Sequence, residues 1–286
     1  MASTTTVSSL KNIPIPKKRS QGLTITNLAL WNSKTLLSAG IFYAMFIALV
    51  VGLLYPAIKS LNFNSYLTSN AVASLVGVKL KDASTFSALM SIELYGSFYG
   101  LIFGGILAYI GGSLLPTTYE NGTLDLMLAR PVSRTRCYIE MWFSTLLGAF
   151  IVSALTVVAV WLSTLFVKNA NVDWNWLIIA QSIALAFLWF SASVGMLFGS
   201  FLNSSRAAGG AAVGIIFLGY LMNTLGGLSD KLNWMLKAEP FYYMQSAQAF
   251  AEHDFTHWYP WILVGAGLVC GIVGLFIFNR RDLPTT

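Results

Sequence analysis

Residues 93–120 read ELYGSFYGLIFGGILAYIGGSLLPTTYE, with no charged side chain between Glu93 and Glu120. The run exceeds the ~20 residues an α-helix needs to cross a ~30 Å hydrocarbon layer. Lipid offers the backbone no hydrogen-bond partners, so helix is the expected conformation. A small residue stands at every fourth position, Gly96, Gly100, Gly104, Ala108 and Gly112, which places all five on one helix face. Lipid gives no hydrophobic drive for helix association, so such a stripe marks close packing, either on a neighbouring span or on the same span of a second copy. Gly210 with Gly214, and Gly267 with Gly271, repeat the spacing.

Outward from this stretch, five more intervals are free of Asp, Glu, Lys and Arg: Lys34 to Lys59, Glu140 to Lys168, Asp173 to Arg206, Arg206 to Asp230, and His257 to Arg280. The expected fold is an all-α polytopic membrane protein with six spans at roughly 35–56, 95–116, 139–166, 176–198, 207–228 and 258–279. Composition agrees. Of 286 residues 56% are hydrophobic and 10% charged, with a mean hydropathy of +0.68, whereas soluble domains carry about 25% charged residues. Residues 1–22, rich in Ser, Thr, Pro and Lys, are expected to be disordered. Residues 23–34 suit an N-terminal interfacial helix, 35–279 the membrane domain and 280–286 a tail. The first apolar run is too long for a signal-peptide core and no small-x-small site closes it, so it is read as an uncleaved span.

Sidedness follows from the basic residues. With both termini cytoplasmic, the inner side holds Lys11, Lys17, Lys18, Arg19, Lys34, Arg130, Arg134, Arg136, Arg206, Arg280 and Arg281, and the outer side Lys59, Lys79, Lys81, Lys168, Lys231 and Lys237. Every arginine falls inside, in the sense of the positive-inside rule. The net charge of +6 is thus an orientation signal and not a nucleic-acid footprint. Glu93 and Glu140 sit at span edges and no acid lies well inside a span, which disfavours a proton-driven antiporter. A pathway of apolar, aromatic and hydroxyl groups suits an amphipathic cargo. The outer loops at 57–92 and 229–257 carry apolar and aromatic residues that serve either as belt anchors or as short re-entrant segments.

The inner loop carries the most chemistry: Thr117-Thr-Tyr-Glu-Asn-Gly-Thr-Leu-Asp-Leu-Met-Leu-Ala-Arg-Pro-Val-Ser-Arg134. Thr117 and Glu120 have capping-box spacing. Thr123 can cap a short helix with Asp125 in its first turn. Pro131 forces Arg130 out of the helical region and suits the first turn of the next helix. The outcome is an amphipathic helix of about two turns presenting Leu124, Met127 and Leu128, with Arg130 and Arg134 at its rim.

This loop resembles that of the ABC-2 permeases of ATP-binding-cassette transporters, in particular the stand-alone multidrug and bacteriocin exporters. Glu120, Gly122, Thr123, Leu124, Asp125, Leu126, Leu128, Arg130, Pro131, Val132, Ser133 and Arg134 fall on the family pattern, and Phe278-Asn-Arg-Arg-Asp-Leu283 on its C-terminal one. The sequence departs from the pattern at Asn121 and Glu140. The resemblance implies that residues 117–134 form a coupling helix that docks on a separate ABC ATPase subunit. It implies an export permease in the plasma membrane, paired with a second permease copy or a paralogue. ATP and Mg would belong to the ATPase, since the chain has no Gly-Lys dipeptide and hence no phosphate loop of its own. One rival reading is a mechanical anchor that relays ATPase motion to an outer partner without moving a substrate. Another is an enzyme centred on His253 and His257, whose i, i+4 spacing lacks a third metal ligand in the sequence. Cys137 and Cys270 form no redox or metal motif.

Overall fold

The structure, a computed structural model, describes residues 34, 38–43, 45–46, 49–53, 55, 85–122, 133–167, 170–228 and 230–281. The expected disordered N-terminus, nearly all of the interfacial helix, the coupling segment 123–132 and the tail beyond 281 lie outside the described residues. All regular structure among the described residues is helical: α1 Phe86–Tyr95, α2 Ser97–Glu120, α3 Arg134–Thr164, α4 Trp174–Phe201, α5 Ser205–Leu228, α6 Asn233–Ala238, α7 Ser246–Glu252 and α8 Tyr259–Arg280, with 3-10 turns at Asp230–Leu232 and Phe241–Tyr243. Five stretches are long and apolar enough to cross a membrane: Phe86–Glu120, Arg134–Thr164, Trp174–Phe201, Ser205–Leu228 and Tyr259–Arg280. They match the second to sixth expected spans. Within the expected first span, residues 38–43, 45–46, 49–53 and 55 are helical. Tyr43 there meets Phe103 of α2 edge-on at 5.8 Å.

The second span begins earlier than its charge pattern implied. Its helix starts at Phe86, where the Thr85 hydroxyl accepts from the Ala88 N–H at 3.1 Å. Glu93, read as the span's outer boundary, lies on the exposed side of α1, so one charge did not stop the helix. The break falls at Gly96, whose ψ of 176° is non-helical. At the far end the helix continues through Pro116 to Glu120. Thr117 and Glu120 therefore close a helix and do not form a capping box that opens one. The Ser133 hydroxyl caps α3 by accepting from the Arg136 N–H, so Pro131 precedes the cap and does not enter that helix's first turn.

The core is centred on α4, which packs on α2, α3, α5 and α8. At 28 residues it is about 42 Å long at ~1.5 Å per residue, ample for a span. Trp142 of α3 donates its indole N–H to the Ser193 hydroxyl of α4 at 2.8 Å and stacks on Trp189 at 5.3 Å. Between α1–α2 and α4, the buried Gln181 amide accepts from the Tyr95 hydroxyl at 2.7 Å and donates to that of Tyr99 at 3.0 Å. Hydrogen bonds between buried polar groups lower the cost of placing them inside an apolar bundle.

The segment between α5 and α8 folds back into the bundle. Phe241, Met244, Ala247, Ala249 and Phe250 are buried, and the Phe250 ring meets Tyr95 at 6.1 Å. The loop is therefore packed against the helices and is not a bare turn. Trp234, at 64% exposure, remains suited to a belt.

Candidate functional site

At one end of the bundle a polar floor joins five helix ends. Glu120, the last residue of α2, reaches the start of α5: one carboxylate oxygen accepts from the Ser205 N–H at 2.8 Å and the other from its hydroxyl at 2.6 Å. A carboxylate on free N–H groups at a helix start is favoured both as a cap and by the helix dipole. Asn121 and Gly122 then turn the chain out of α2. Gly122 has φ 62°, a left-handed conformation that costs glycine nothing. The chain re-enters at Ser133 and Arg134. The Arg134 guanidinium donates to the Arg281 carbonyl at 3.0 Å, tying α3 to the end of α8. Arg281 donates in turn to the Ser200 carbonyl at 3.1 Å and to the Asn203 side chain, in the α4–α5 turn. The Asn279 amide donates to the Thr135 hydroxyl at 3.1 Å, and Arg136 pairs with Glu140 at 2.8 Å. Both ends of the segment 123–132 are thus fastened to the helices that make the core.

Of the residues expected to couple to an ATPase, Glu120, Gly122, Ser133 and Arg134 lie on this floor. Glu120 and Gly122 are exposed, and Glu120 is committed to an intramolecular partner. Thr123, Leu124, Asp125, Leu128, Arg130 and Pro131 lie outside the described residues.

The glycines divide into two groups. In α2, a Cβ on Gly100 would meet the Phe241 ring at 2.6 Å, one on Gly104 the Phe187 ring at 2.8 Å, and one on Gly112 the Ala208 carbonyl of α5 at 2.8 Å. Gly96 is buried at the α1–α2 break. Gly210 and Gly214 of α5 have nothing within 4 Å of an added Cβ, so no described part of this chain packs on them. The tightest contact was not in the expected set. A Cβ on Gly111 would run into the Ala192 carbonyl, and one on Gly195 into the Ala108 carbonyl. Gly195 and Gly199, four apart on α4, were the available signal.

At the other end, His253 stacks on Trp176 at 5.2 Å and His257 lies against Phe255 at 4.7 Å. The two histidines share no ligand-like centre, and among the described residues no group of three or more His, Cys, Asp and Glu side chains is placed to hold a metal ion. Glu239, assigned by sequence to an outer loop, is 1% exposed. Its carboxylate accepts from the N–H groups of Phe241 at 2.5 Å and Tyr242 at 2.7 Å. Burial pushes its pKa up to about 8, with the two donors opposing. Sequence alone gave no reason to bury it.

Long apolar helices packed through small residues, with arginines gathered at one end, define a multi-pass membrane protein. The chain belongs to the family described as multidrug efflux system permease Rv1217c, C-terminal domain, an ABC-2 type permease family whose model matches residues 28–279. No individual curated protein matches the chain.

Proposed function

We propose that this chain is the membrane half of an ABC exporter, driven by a separate ATPase that binds ATP and Mg and docks on residues 117–134. The polar floor carries this reading. A short segment fastened at Glu120 to α5 and at Arg134 to α8 can pass a displacement to both sides of the core. Differential contact with two states of the ATPase then biases two states of the bundle. The arginine-bearing floor faces the cytoplasm, with both termini on that side. The cargo is amphipathic: a peptide, antibiotic or lipid-like molecule. The unpacked glycine face of α5 suits a second permease copy.

The test is reconstitution of the affinity-tagged chain with its co-purifying ATPase in proteoliposomes. The parent should stimulate ATP hydrolysis and accumulate an amphipathic drug vectorially. Leu124→Asp should lose at least tenfold of both while eluting as a folded species. Retention of full stimulation by Leu124→Asp would sink the docking assignment.

A further inference from the structure

The starts of α1 and α4 and the end of α7 meet at the end of the bundle opposite the polar floor. Between them lies a cavity of about 980 Å³, at the upper limit of the ~300–1,000 Å³ usual for small-molecule sites. Part of its wall is aromatic. Tyr55, from the expected first span, meets Phe86 of α1 edge-on at 5.3 Å, and Trp174, the first residue of α4, lines the cavity while 41% exposed. The rest is mainly polar. Asp173 caps α4 with one carboxylate oxygen, which accepts from the Asn175 N–H at 3.0 Å and the Trp176 N–H at 3.4 Å. Among the described residues no donor reaches its other oxygen. Ser87 donates its hydroxyl to the Asn171 carbonyl at 3.2 Å and so joins α1 to the segment before α4. His253 closes α7 in the left-handed conformation, φ 56°, which is uncommon outside glycine. Its ring lies flat on Trp176, 11° from parallel, which fixes the imidazole in the cavity wall. None of the described residues lining the cavity is Lys or Arg.

We propose that this cavity binds an amphipathic organic cation, its ammonium group held by Asp173 and its apolar body laid against Trp174, Tyr55 and Phe86. Hydrogen bonds from a cationic donor to a carboxylate are stronger than neutral ones, and the faces of indole and phenol rings attract positive charge. The lining argues against the other ligand classes. An anion would meet the Asp173 carboxylate with no cationic side chain of the lining to balance it. A wholly apolar molecule would take water from Asp173 and from the Asn171 and Asn175 amides without replacing its hydrogen bonds. A neutral polyol could satisfy the amides but would leave the carboxylate's charge uncompensated. The site is also distinct from the floor. The 28 residues of α4 separate the two by about 42 Å at ~1.5 Å per residue. Such a site requires neither the export reading nor its orientation.

The experiment uses the permease alone in nanodiscs, with Cys137→Ala and Cys270→Ala as background. Asn171→Cys supplies a thiol in the cavity wall, and Ser204→Cys, exposed at the other end, supplies the control. Labelling by a charged maleimide is timed while ethidium, an aromatic cation with amine donors, is titrated in. Ethidium should slow labelling of the cavity thiol severalfold and leave the control unchanged, and the titration gives its dissociation constant. Fluorescein, an aromatic anion, should protect neither thiol. Asp173→Asn keeps a side chain able to cap α4, so its thermal midpoint should match the parent's while ethidium binds about tenfold more weakly. Trp174→Ala should weaken binding by a similar factor, and Trp174→Phe should restore part of it. Absence of protection by ethidium, equal protection by fluorescein, or an unchanged affinity in Asp173→Asn overturns the proposal. No ATPase is present, so failure here leaves the export reading standing, and failure of ATPase coupling leaves this result standing.

Discussion

Glu120 uses both carboxylate oxygens on one residue, Ser205, and so joins the end of α2 to the start of α5. Capping interactions of this kind contribute about 1 kcal/mol, which makes the contact small in stability and larger in registration. Glu120→Ala should leave the purified permease folded and uncouple hydrolysis from transport, lowering cargo moved per ATP several-fold. Ser205→Ala should do the same by a smaller factor, since the Ser205 N–H remains. The double variant should be no worse than Glu120→Ala, because both changes remove one contact. Fully additive losses in the transport-to-hydrolysis ratio would mean that Glu120 acts elsewhere. The family pattern marked Glu120 as a coupling residue, but its partner Ser205 is 85 positions away and no spacing rule connects them.

Between elements, the α2–α4 seam depends on glycines that touch backbone. Gly195→Val must push α4 off the Ala108 carbonyl, and forced overpacking costs about 1–3 kcal/mol. Its thermal midpoint in detergent should fall by several degrees. A Cβ at Gly210 or Gly214 meets nothing within 4 Å among the described residues, and Gly210→Leu and Gly214→Leu gain helix propensity of nearly 1 kcal/mol each. Monomer stability should hold or rise. If a second copy packs on α5, these two variants should shift the permease from dimer to monomer in mass photometry. An unchanged mass would move the partner surface to another face. Four-residue glycine spacing was legible in α2 and α5, but it could not say which stripe faces inward. That choice depends on how each helix is rotated about its axis, and α4 sets the rotation.

At the scale of the whole molecule, Arg134, Arg136, Arg206, Arg280 and Arg281 and the ends of α2, α4 and α8 gather at one end, with the Phe241 turn at the other. With the arginine end cytoplasmic, a thiol introduced by Ser204→Cys should label only after cells are permeabilised. One introduced by His257→Cys should label on intact cells. The reverse pattern would invert the orientation.

The sequence by itself determined a helical membrane protein, the second to sixth of its expected spans to within about five residues apart from the early start at Phe86, and its ABC-2 character. Those follow from local properties: charge-free length, backbone saturation in lipid, and a contiguous loop motif. Only the tertiary structure decided that Glu120 holds Ser205, that Arg281 reaches the α4–α5 turn, that Gly111 and Gly195 form the closest seam, and that Glu239 is buried behind Phe241. Each of these joins residues distant in the chain. A carboxylate flanked by Ala238 and Pro240 reads as a solvated loop until the fold buries it on the N–H groups of Phe241 and Tyr242.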